Sequence, residues 1–452
     1  MQIRRLALFF SAFGVGSTLA LAAAVAPAPP APPPVTPPAA AAGAGASETA
    51  DLPNPVPADA WRNGWARGAV FYEVDVRRFA DSNGDGSGDL RGLTGKLDSL
   101  SDGDPASLTD LQIDALCLAS VLKVGVAGTA AIDPAVGTDA DLAHLVAAAH
   151  KRGLKVILGL PADPGQPAET GRFASAWLAK GVDGFRLESA RPPGSKTGGD
   201  AWKDTPALHG FLKDLAATIR HAKPEALLIG EIGSDTGSIA RSFGSPAAVP
   251  GGDELPMSLD APLGAAILAA VASGDASGVL SKLAEIGKAY PIGALDGPYL
   301  SGLDASRAAS ALGGDPAKRM SAAALLLTLP GSPFLLSGEE VGPAGGAQDS
   351  ILGAYRQLIR ARHHSNSLRY GALEALRPPH QSASILSFVR RYAGSRVLVV
   401  HNLSAAALEA GPFFIKGKLV PLYSSPGVSP PSGGNRGLRV LLPAYASGVW
   451  RL

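Results

Sequence analysis

The sequence predicts an α/β fold, in which an eight-stranded parallel (β/α)8 barrel, a TIM barrel, is followed by a smaller antiparallel β-sandwich domain. From Gly68 onward, short apolar runs alternate with amphipathic helical stretches, which is the order of βαβ units around a parallel sheet. Beyond residue 371 the pattern changes to two-residue alternation with turn signals, which is typical of antiparallel strands. We therefore expect the barrel over residues 61–371 and the β domain over residues 372–452.

Eight apolar runs are predicted to be the barrel strands, and with their helices they occupy about 290 residues, close to the usual size of such a barrel. The runs are 69–77, 113–118, 155–160, 184–188, 226–231, 255–258, 298–301 and 332–336. Only about twenty residues separate the third and fourth strands, which leaves room for one helix and no inserted subdomain. In this fold, active groups lie at the carboxyl ends of the strands.

The amino-terminal segment predicts export to the periplasm or the extracellular space. Arg4 and Arg5 precede an apolar stretch that ends in small residues, the pattern of a signal peptide over residues 1–26. Residues 27–60 are rich in proline and alanine and predict an extended linker. Cleavage near Ala22 and retention of the segment as a membrane anchor both remain open, and we expect contact with a membrane only in the second case.

The composition argues against a nucleic-acid partner and excludes an internal disulfide. The chain has 452 residues, a net charge of +1, 46% hydrophobic residues and 17% charged residues, so it can bury a large core and is not polybasic. We therefore expect no nucleic-acid partner. A single cysteine, Cys117, excludes an internal disulfide.

Carboxylates occur at the ends of three predicted strands. Glu188 and Glu231 close the fourth and fifth strands, and Asp304 follows the seventh. A retaining glycosidase needs one carboxylate to attack the sugar and a second, protonated carboxyl to release the leaving oxygen. Arg186 points to the same side of its strand as Glu188 and is predicted to keep that carboxylate ionised. The alternative is that these acids cap helices or pair with arginine.

Four segments, 69–100, 181–191, 228–236 and 312–342, resemble the alpha-amylase family of glycoside hydrolases (family 13), in particular its alpha-glucosidases and trehalose synthases. The resemblance implies a retaining mechanism on α-glucosidic bonds, an α-glucan or malto-oligosaccharide as substrate, and no organic cofactor. By position it assigns four roles: Glu188 is the nucleophile, Glu231 the general acid/base, Asp304 the group that stabilises the transition state, and Arg186 the substrate-site arginine beside the nucleophile.

The sequence also departs from the family pattern. Glu188 stands where the family has an aspartate. The two substrate-binding histidines of the family are also missing, since Gly159 to Asp163 follows Ile157-Leu158 of the third strand and Gly302-Leu303 precedes Asp304. A misplacement of about 1 Å in an active site can cost about 10²-fold in rate. Two functions therefore remain open: an exported glycosidase of weak activity, and a non-catalytic amylase-like protein that binds glucan or acts as a scaffold.

A loop after the first strand carries oxygen ligands at alternate positions, which suits a hard cation such as Ca²⁺. In the resembling family this loop binds a structural cation, which would be held here by Asp81, Asn83, Asp85, Ser87 and Asp89. The alternative is a metal-free loop stabilised by Asx turns.

Overall fold

The computed structural model describes residues 63–124, 130–189, 204–232, 234–247, 249–302, 308–341, 346–433 and 435–452. The predicted signal peptide, the linker and Asp304 lie outside these residues. The described residues all belong to one compact unit. Within them, no helix has the length and apolar character needed to cross a membrane.

The first part of the chain forms the predicted parallel barrel. Its strands, with one short hairpin, are β1 (Phe71–Asp75), β2 (Ala115–Ala119), β3 (Leu122–Val124), β4 (Ala130–Ile132), β5 (Lys155–Ala162), β6 (Gly184–Ser189), β7 (Leu227–Gly230), β8 (Met257–Asp260), β9 (Leu295–Pro298) and β10 (Phe334–Leu336). Eight of them form one parallel sheet in the order β10-β1-β2-β5-β6-β7-β8-β9, and a parallel bridge between Tyr299 and Phe334 closes the ring. β3 and β4 pair antiparallel. The (β/α)8 prediction is confirmed.

Helices follow the barrel strands, and several begin at residues that cap the first turn. Thr138 and Asp141 form a capping box at the start of the helix that begins with Asp139, and Thr205 caps the helix that begins with Pro206. The described helices are α1 (Val76–Phe79), α2 (Leu90–Thr94), α3 (Leu97–Leu100), α4 (Asp139–Lys151), α5 (Pro167–Ala179), α6 (Pro206–Ala222), α7 (Thr236–Ser242), α8 (Ala261–Ser273), α9 (Ser277–Ala289), α10 (Ala308–Ala311), α11 (Pro316–Thr328), α12 (Gly346–His363) and α13 (Asn366–Tyr370).

Apolar side chains fill the inside of the barrel at its amino-terminal half. Phe71, Cys117, Ile157 and Ile229 belong to this inner cluster, in which the rings of Phe71 and Phe334 stack at 4.4 Å between centroids. Alternate residues of a strand point to the same face. The inner positions two residues further along β1, β5 and β7 are therefore Glu73, Gly159 and Glu231, so the inside of the barrel becomes polar towards the carboxyl ends of the strands.

One predicted strand was wrong in position. The seventh barrel strand was expected at 298–301, but it is Leu295–Pro298, where Leu295 pairs with Met257. The prediction followed the apolar pair Tyr299-Leu300. The true strand contains Asp296 and Gly297, which are residue types that do not predict a strand. Between β5 and β6, residues 163–183 contain the single helix α5 and no inserted subdomain.

The carboxyl-terminal part is an antiparallel β sandwich, as predicted. Its strands are β11 (Ala372–Leu376), β12 (Ile385–Tyr392), β13 (Ser395–Asn402), β14 (Leu408–Phe413), β15 (Val420–Ser424), β16 (Leu438–Leu442) and β17 (Ser447–Arg451). Five form a sheet in the order β11-β12-β13-β17-β15, and β14 pairs with β16. Buried residues of both sheets, among them Val400, Val440 and Trp450, form one apolar cluster.

Candidate active site

The candidate site is a group of charged side chains at the carboxyl ends of the barrel strands. Glu73 lies on β1, Arg186 and Glu188 lie on β6, and Glu231 directly follows β7. Inward-facing positions of neighbouring parallel strands are adjacent in a barrel. These residues therefore share the mouth of the barrel, where the fold places active groups.

Arg186 lies between two carboxylates. Its Nη2 atom is 2.6 Å from Oε2 of Glu231, and its Nε atom is 3.2 Å from Oε1 of Glu73. The Arg186 and Glu73 side chains are only 12% and 5% exposed, while Glu231 is 41% exposed and so faces solvent. Burial alone would lower the pKa of the Arg186 guanidinium, but Glu73, Glu231 and Glu188 outweigh burial and raise it.

Glu231 has a second hydrogen-bond donor. The hydroxyl of Tyr299 donates to Oε1 of Glu231 at 2.8 Å, while Arg186 donates to Oε2. Burial and the adjacent Glu231 carboxylate raise the pKa of the Tyr299 hydroxyl, so this hydroxyl stays protonated and remains a donor. Both oxygens of Glu231 therefore accept hydrogen bonds from the protein.

The carboxylate of Glu188 lies above the backbone of β5. The N–H of Ser120 donates to its Oε1 atom over 3.4 Å, and Ser120 itself adopts a left-handed conformation with φ of 58°. A Cβ atom built on Gly159 would lie 2.3 Å from the same Oε1 atom. Such a contact is too short for any side chain, so the absence of a side chain at residue 159 makes the space that Glu188 occupies.

The structure brings Glu188, Glu231 and Arg186 to one place, while Asp304 lies outside the described residues. The sequence predicted that Arg186 keeps Glu188 ionised. The short contacts of Arg186 go to Glu73 and Glu231, while the Glu188 carboxylate attracts the guanidinium from a longer distance, so the effect of Arg186 on Glu188 stays a prediction. The cause is geometric: the carboxylates of Glu73 on β1 and of Glu231 after β7 reach the guanidinium from two sides, whereas the Glu188 carboxylate lies against Gly159.

Sequence reasoning missed Glu73, Tyr299 and Gly159. Glu73 is an acid in the middle of strand β1, two residues after the inward-facing Phe71, and this spacing could have revealed that it points into the barrel. Tyr299 was hidden by the misplacement of the seventh strand. In the sequence, Gly159 stood out only as part of the segment that lacks a histidine of the family. Its steric relation to Glu188 is visible only in three dimensions.

The predicted cation loop is exposed, and groups of the loop itself donate hydrogen bonds to its carboxylates. Asp81 accepts hydrogen bonds from the N–H groups of Asn83, Gly84 and Gly86. Asp89 accepts hydrogen bonds from Ser82 and caps α2 through the N–H of Gly92. In the described part of the chain, no three acidic, histidine or cysteine side chains are grouped to hold a metal ion. The oxygen chemistry suits Ca²⁺, but this conformation is that of an Asx-turn loop.

The fold and the site together define a (β/α)8-barrel protein of the glycoside hydrolase class, with carboxylates around an arginine at the barrel mouth. A family profile described as "Alpha amylase, catalytic domain" matches residues 74–161 and 167–367. The chain belongs to the alpha-amylase family.

Similar proteins include several enzymes of this family. Alpha-amylase 3 of Dictyoglomus thermophilum is 24% identical, and the match covers 75% of this chain and 85% of that protein. The trehalose synthase/amylase of Mycobacterium tuberculosis is 28% identical, but the match covers 48% of this chain and 47% of that protein. The crystal structure of an alpha-amylase from H. orenii shares the fold, with a TM-score of 0.71, 24% identity and coverage of 85% of this chain and 99% of that one.

Proposed function

We propose that this protein is a retaining glycosidase that acts on α-glucosidic bonds of oligo- or polysaccharides. The observation that carries the proposal is the arrangement at the barrel mouth, where Glu188 and Glu231 lie on adjacent strands with Arg186 between the acids of the site. The names of the relatives, alpha-amylase and trehalose synthase/amylase, support an α-glucan or malto-oligosaccharide as the substrate.

In the proposed mechanism Glu188 is the nucleophile. A carboxylate oxygen of Glu188 attacks the anomeric carbon while the bond from that carbon to the leaving oxygen breaks, and the Glu231 carboxyl gives its proton to that oxygen. Water then attacks the anomeric carbon, Glu231 takes the proton from the water, and the bond to Glu188 breaks. Arg186 supplies fixed positive charge beside both acids. The family resemblance gives Asp304 the part of stabilising the transition state.

One observation favours the alternative of a non-catalytic glucan-binding or scaffold protein. Both oxygens of Glu231 accept hydrogen bonds, from Arg186 and from Tyr299. To protonate a leaving group, Glu231 must exchange one of these partners for the substrate oxygen, and this exchange would slow the reaction. Weak activity and a purely binding function both fit this feature.

The test is incubation of the full chain at high concentration with maltose, trehalose, sucrose and malto-oligosaccharides, beside Glu188→Gln, Glu231→Gln and Asp304→Asn. We expect products from the wild type, with the α anomer formed first, and a loss of at least about 10²-fold in each variant. Glu409→Gln, on exposed β14 of the sandwich, is the matched control and should keep full activity.

One outcome would decide against the glycosidase, and another against the role of Glu231. Absence of products from the wild type, together with saturable binding of maltoheptaose, would leave the binding protein as the function. Equal activity of the wild type and the Glu231→Gln variant would show that the reaction uses another acid.

We further propose that the loop after β1 binds a structural Ca²⁺ ion. Asp81, Asn83 and Asp85 are exposed and offer oxygens at alternate positions, although they now accept hydrogen bonds from their own loop. The test is thermal unfolding with EDTA and with added Ca²⁺. Calcium should raise the Tm of the wild type and leave that of Asp85→Asn unchanged, with Asp98→Asn as the exposed control. An equal Tm with and without calcium, and no metal by elemental analysis, would exclude the ion.

Export is also a proposal. It rests on Arg4 and Arg5 and on the apolar stretch that follows them. Amino-terminal sequencing of the protein recovered from an exporting bacterial host tests it. A new terminus near Ala22 is expected for cleavage, an intact terminus in the membrane fraction for an anchor, and an intact terminus in the cytoplasm would overturn export.

A further inference from the structure

A cavity lies at the opposite end of the barrel from the candidate active site. It offers about 110 Å³ of free space beside the amino ends of β1, β9 and β10, under the start of the sandwich. Residues that precede these strands line it, including Gly68, Gly293 and Ser332. The cavity is therefore a different place from the barrel mouth, where the strands end.

Three arginines line this cavity: Arg67, Arg369 and Arg390. Arg390 is fully buried, and its guanidinium donates to the carbonyl oxygens of Gly371 and Thr328. Arg67 donates through Nη2 to the carbonyl of Gly293 at 3.0 Å. Carbonyl groups satisfy N–H donors, but they do not neutralise the positive charge.

Arg369 has donor capacity that the protein leaves unused. Its Nε atom is buried and has no hydrogen-bond partner among the described residues. Its Nη2 atom is 3.9 Å from Oδ1 of Asp114, which is too long for a hydrogen bond. The other oxygen of Asp114 already accepts from the N–H of Val70 and contacts His363.

A fourth arginine adds to the excess of positive charge. Arg362, behind the cavity, is fully buried and donates to the carbonyl groups of Gly68, Leu327, Leu329 and Gly331. Burial lowers the pKa of Arg67, Arg362 and Arg390, that of Arg362 to about 9, and a neighbouring arginine adds to the fall for Arg362 and for Arg390. Asp296 lines the same cavity, but burial raises its pKa and so disfavours the charged form that would balance the arginines.

We propose that this cavity is a binding site for a small oxyanion, a carboxylate or a phosphate, held by Arg67 and Arg369. Guanidinium groups bind both oxyanions through paired, charge-assisted hydrogen bonds. Leu283, Ile286 and Ile292 form an apolar wall and give room for a short hydrocarbon group on the anion. The inference does not depend on the proposed glycosidase activity, since the two sites share no residue.

Isothermal titration of the full chain tests the site, with sodium phosphate and sodium acetate as probes at constant ionic strength set by sodium chloride. We expect saturable binding of at least one of them by the wild type, and at least tenfold weaker binding, about 1.4 kcal/mol, by Arg369→Gln and by Arg67→Gln. Binding of phosphate alone would assign the site to phosphates, and binding of acetate would assign it to carboxylates as well.

Arg391→Gln is the matched control. Arg391 is the neighbour of Arg390 on β12, is half exposed and pairs with Glu374 outside the cavity, so its variant changes the net charge equally and should bind as the wild type does. Arg369→Lys keeps the positive charge but lacks the paired N–H donors of a guanidinium group. It replaces Arg369→Gln in the test if that variant does not fold. Absence of saturable binding by the wild type would overturn the proposal, as would equal affinities in the wild type and the Arg67 and Arg369 variants.

Discussion

At the barrel mouth, the carboxylate of Glu188 fills the space that a side chain at Gly159 would need. A Cβ atom at residue 159 would lie 2.3 Å from Oε1 and 2.6 Å from Cδ of Glu188. The two residues lie on the neighbouring strands β5 and β6, where Pro161 is the register partner of Glu188. The glutamate at residue 188 and the glycine at residue 159 are therefore sterically linked: the longer acid has room because residue 159 has no side chain.

The first prediction is that Gly159→Ala displaces the Glu188 carboxylate. Because the far end of a flexible side chain moves easily, the free energy of unfolding should change by less than about 1 kcal/mol. The activity, kcat/KM, should fall by at least about tenfold, since a shift of the nucleophile by about 1 Å is costly. Urea unfolding and maltose turnover measure the two effects.

The double variant Gly159→Ala with Glu188→Asp distinguishes steric coupling from a general defect. Aspartate is one methylene shorter, so Gly159→Ala should cost less activity in the Glu188→Asp background than in the wild type. Gly210→Ala in α6 is the control, because nothing lies within 4 Å of its added Cβ atom. Equal losses in both backgrounds would contradict the coupling.

The sequence was sufficient to predict the barrel, the sandwich and the position of Glu188 and Glu231 at strand ends, because these follow from local periodicity and from the parallel topology. It was not sufficient to show which groups touch. The partners of Arg186 depend on contacts across β1, β6 and β7, which are far apart in the chain. The true start of β9 was missed because Asp296, a charged residue type, lies half-buried within this strand, and local polarity does not predict a strand there.

The second prediction concerns Glu73, which we expect to stabilise the buried Arg186 side chain. Glu73→Gln removes one of the two carboxylates in contact with the guanidinium and should lower the free energy of unfolding by about 1–3 kcal/mol. Denaturant unfolding measures this change. Glu374→Gln removes the carboxylate of the more exposed pair with Arg391 and should cost less than about 1 kcal/mol. Equal effects of the two substitutions would show that Glu73 does not stabilise Arg186.

The third prediction is that Asp296→Asn stabilises the protein at neutral pH. Burial, and next the neighbouring Asp260, raise the pKa of Asp296. The stability contributed by its neutral form is therefore complete below about pH 4 and is lost as the pH rises towards the folded-state pKa. Asparagine is neutral at every pH, so the gain in Tm over the wild type should grow from pH 4 to pH 7. A gain that is the same at both pH values would contradict a titrating Asp296.

The fourth prediction is that Glu339 makes the protein less stable as the pH approaches 7. Burial raises its pKa from the ordinary 4.5 to about 7, although the N–H of Leu336 donates to its Oε2 atom. Because the folded-state pKa is the higher one, the protonated form stabilises the fold fully below about pH 4.5, and this stabilisation is lost between about pH 4.5 and pH 7. The loss amounts to about 3 kcal/mol. Glu339→Gln should flatten this part of the stability profile measured by urea unfolding, while Glu409→Gln on the exposed edge of the sandwich should leave the slope unchanged. A slope that persists in Glu339→Gln would mean that another group, such as Asp296, is responsible for the whole pH dependence.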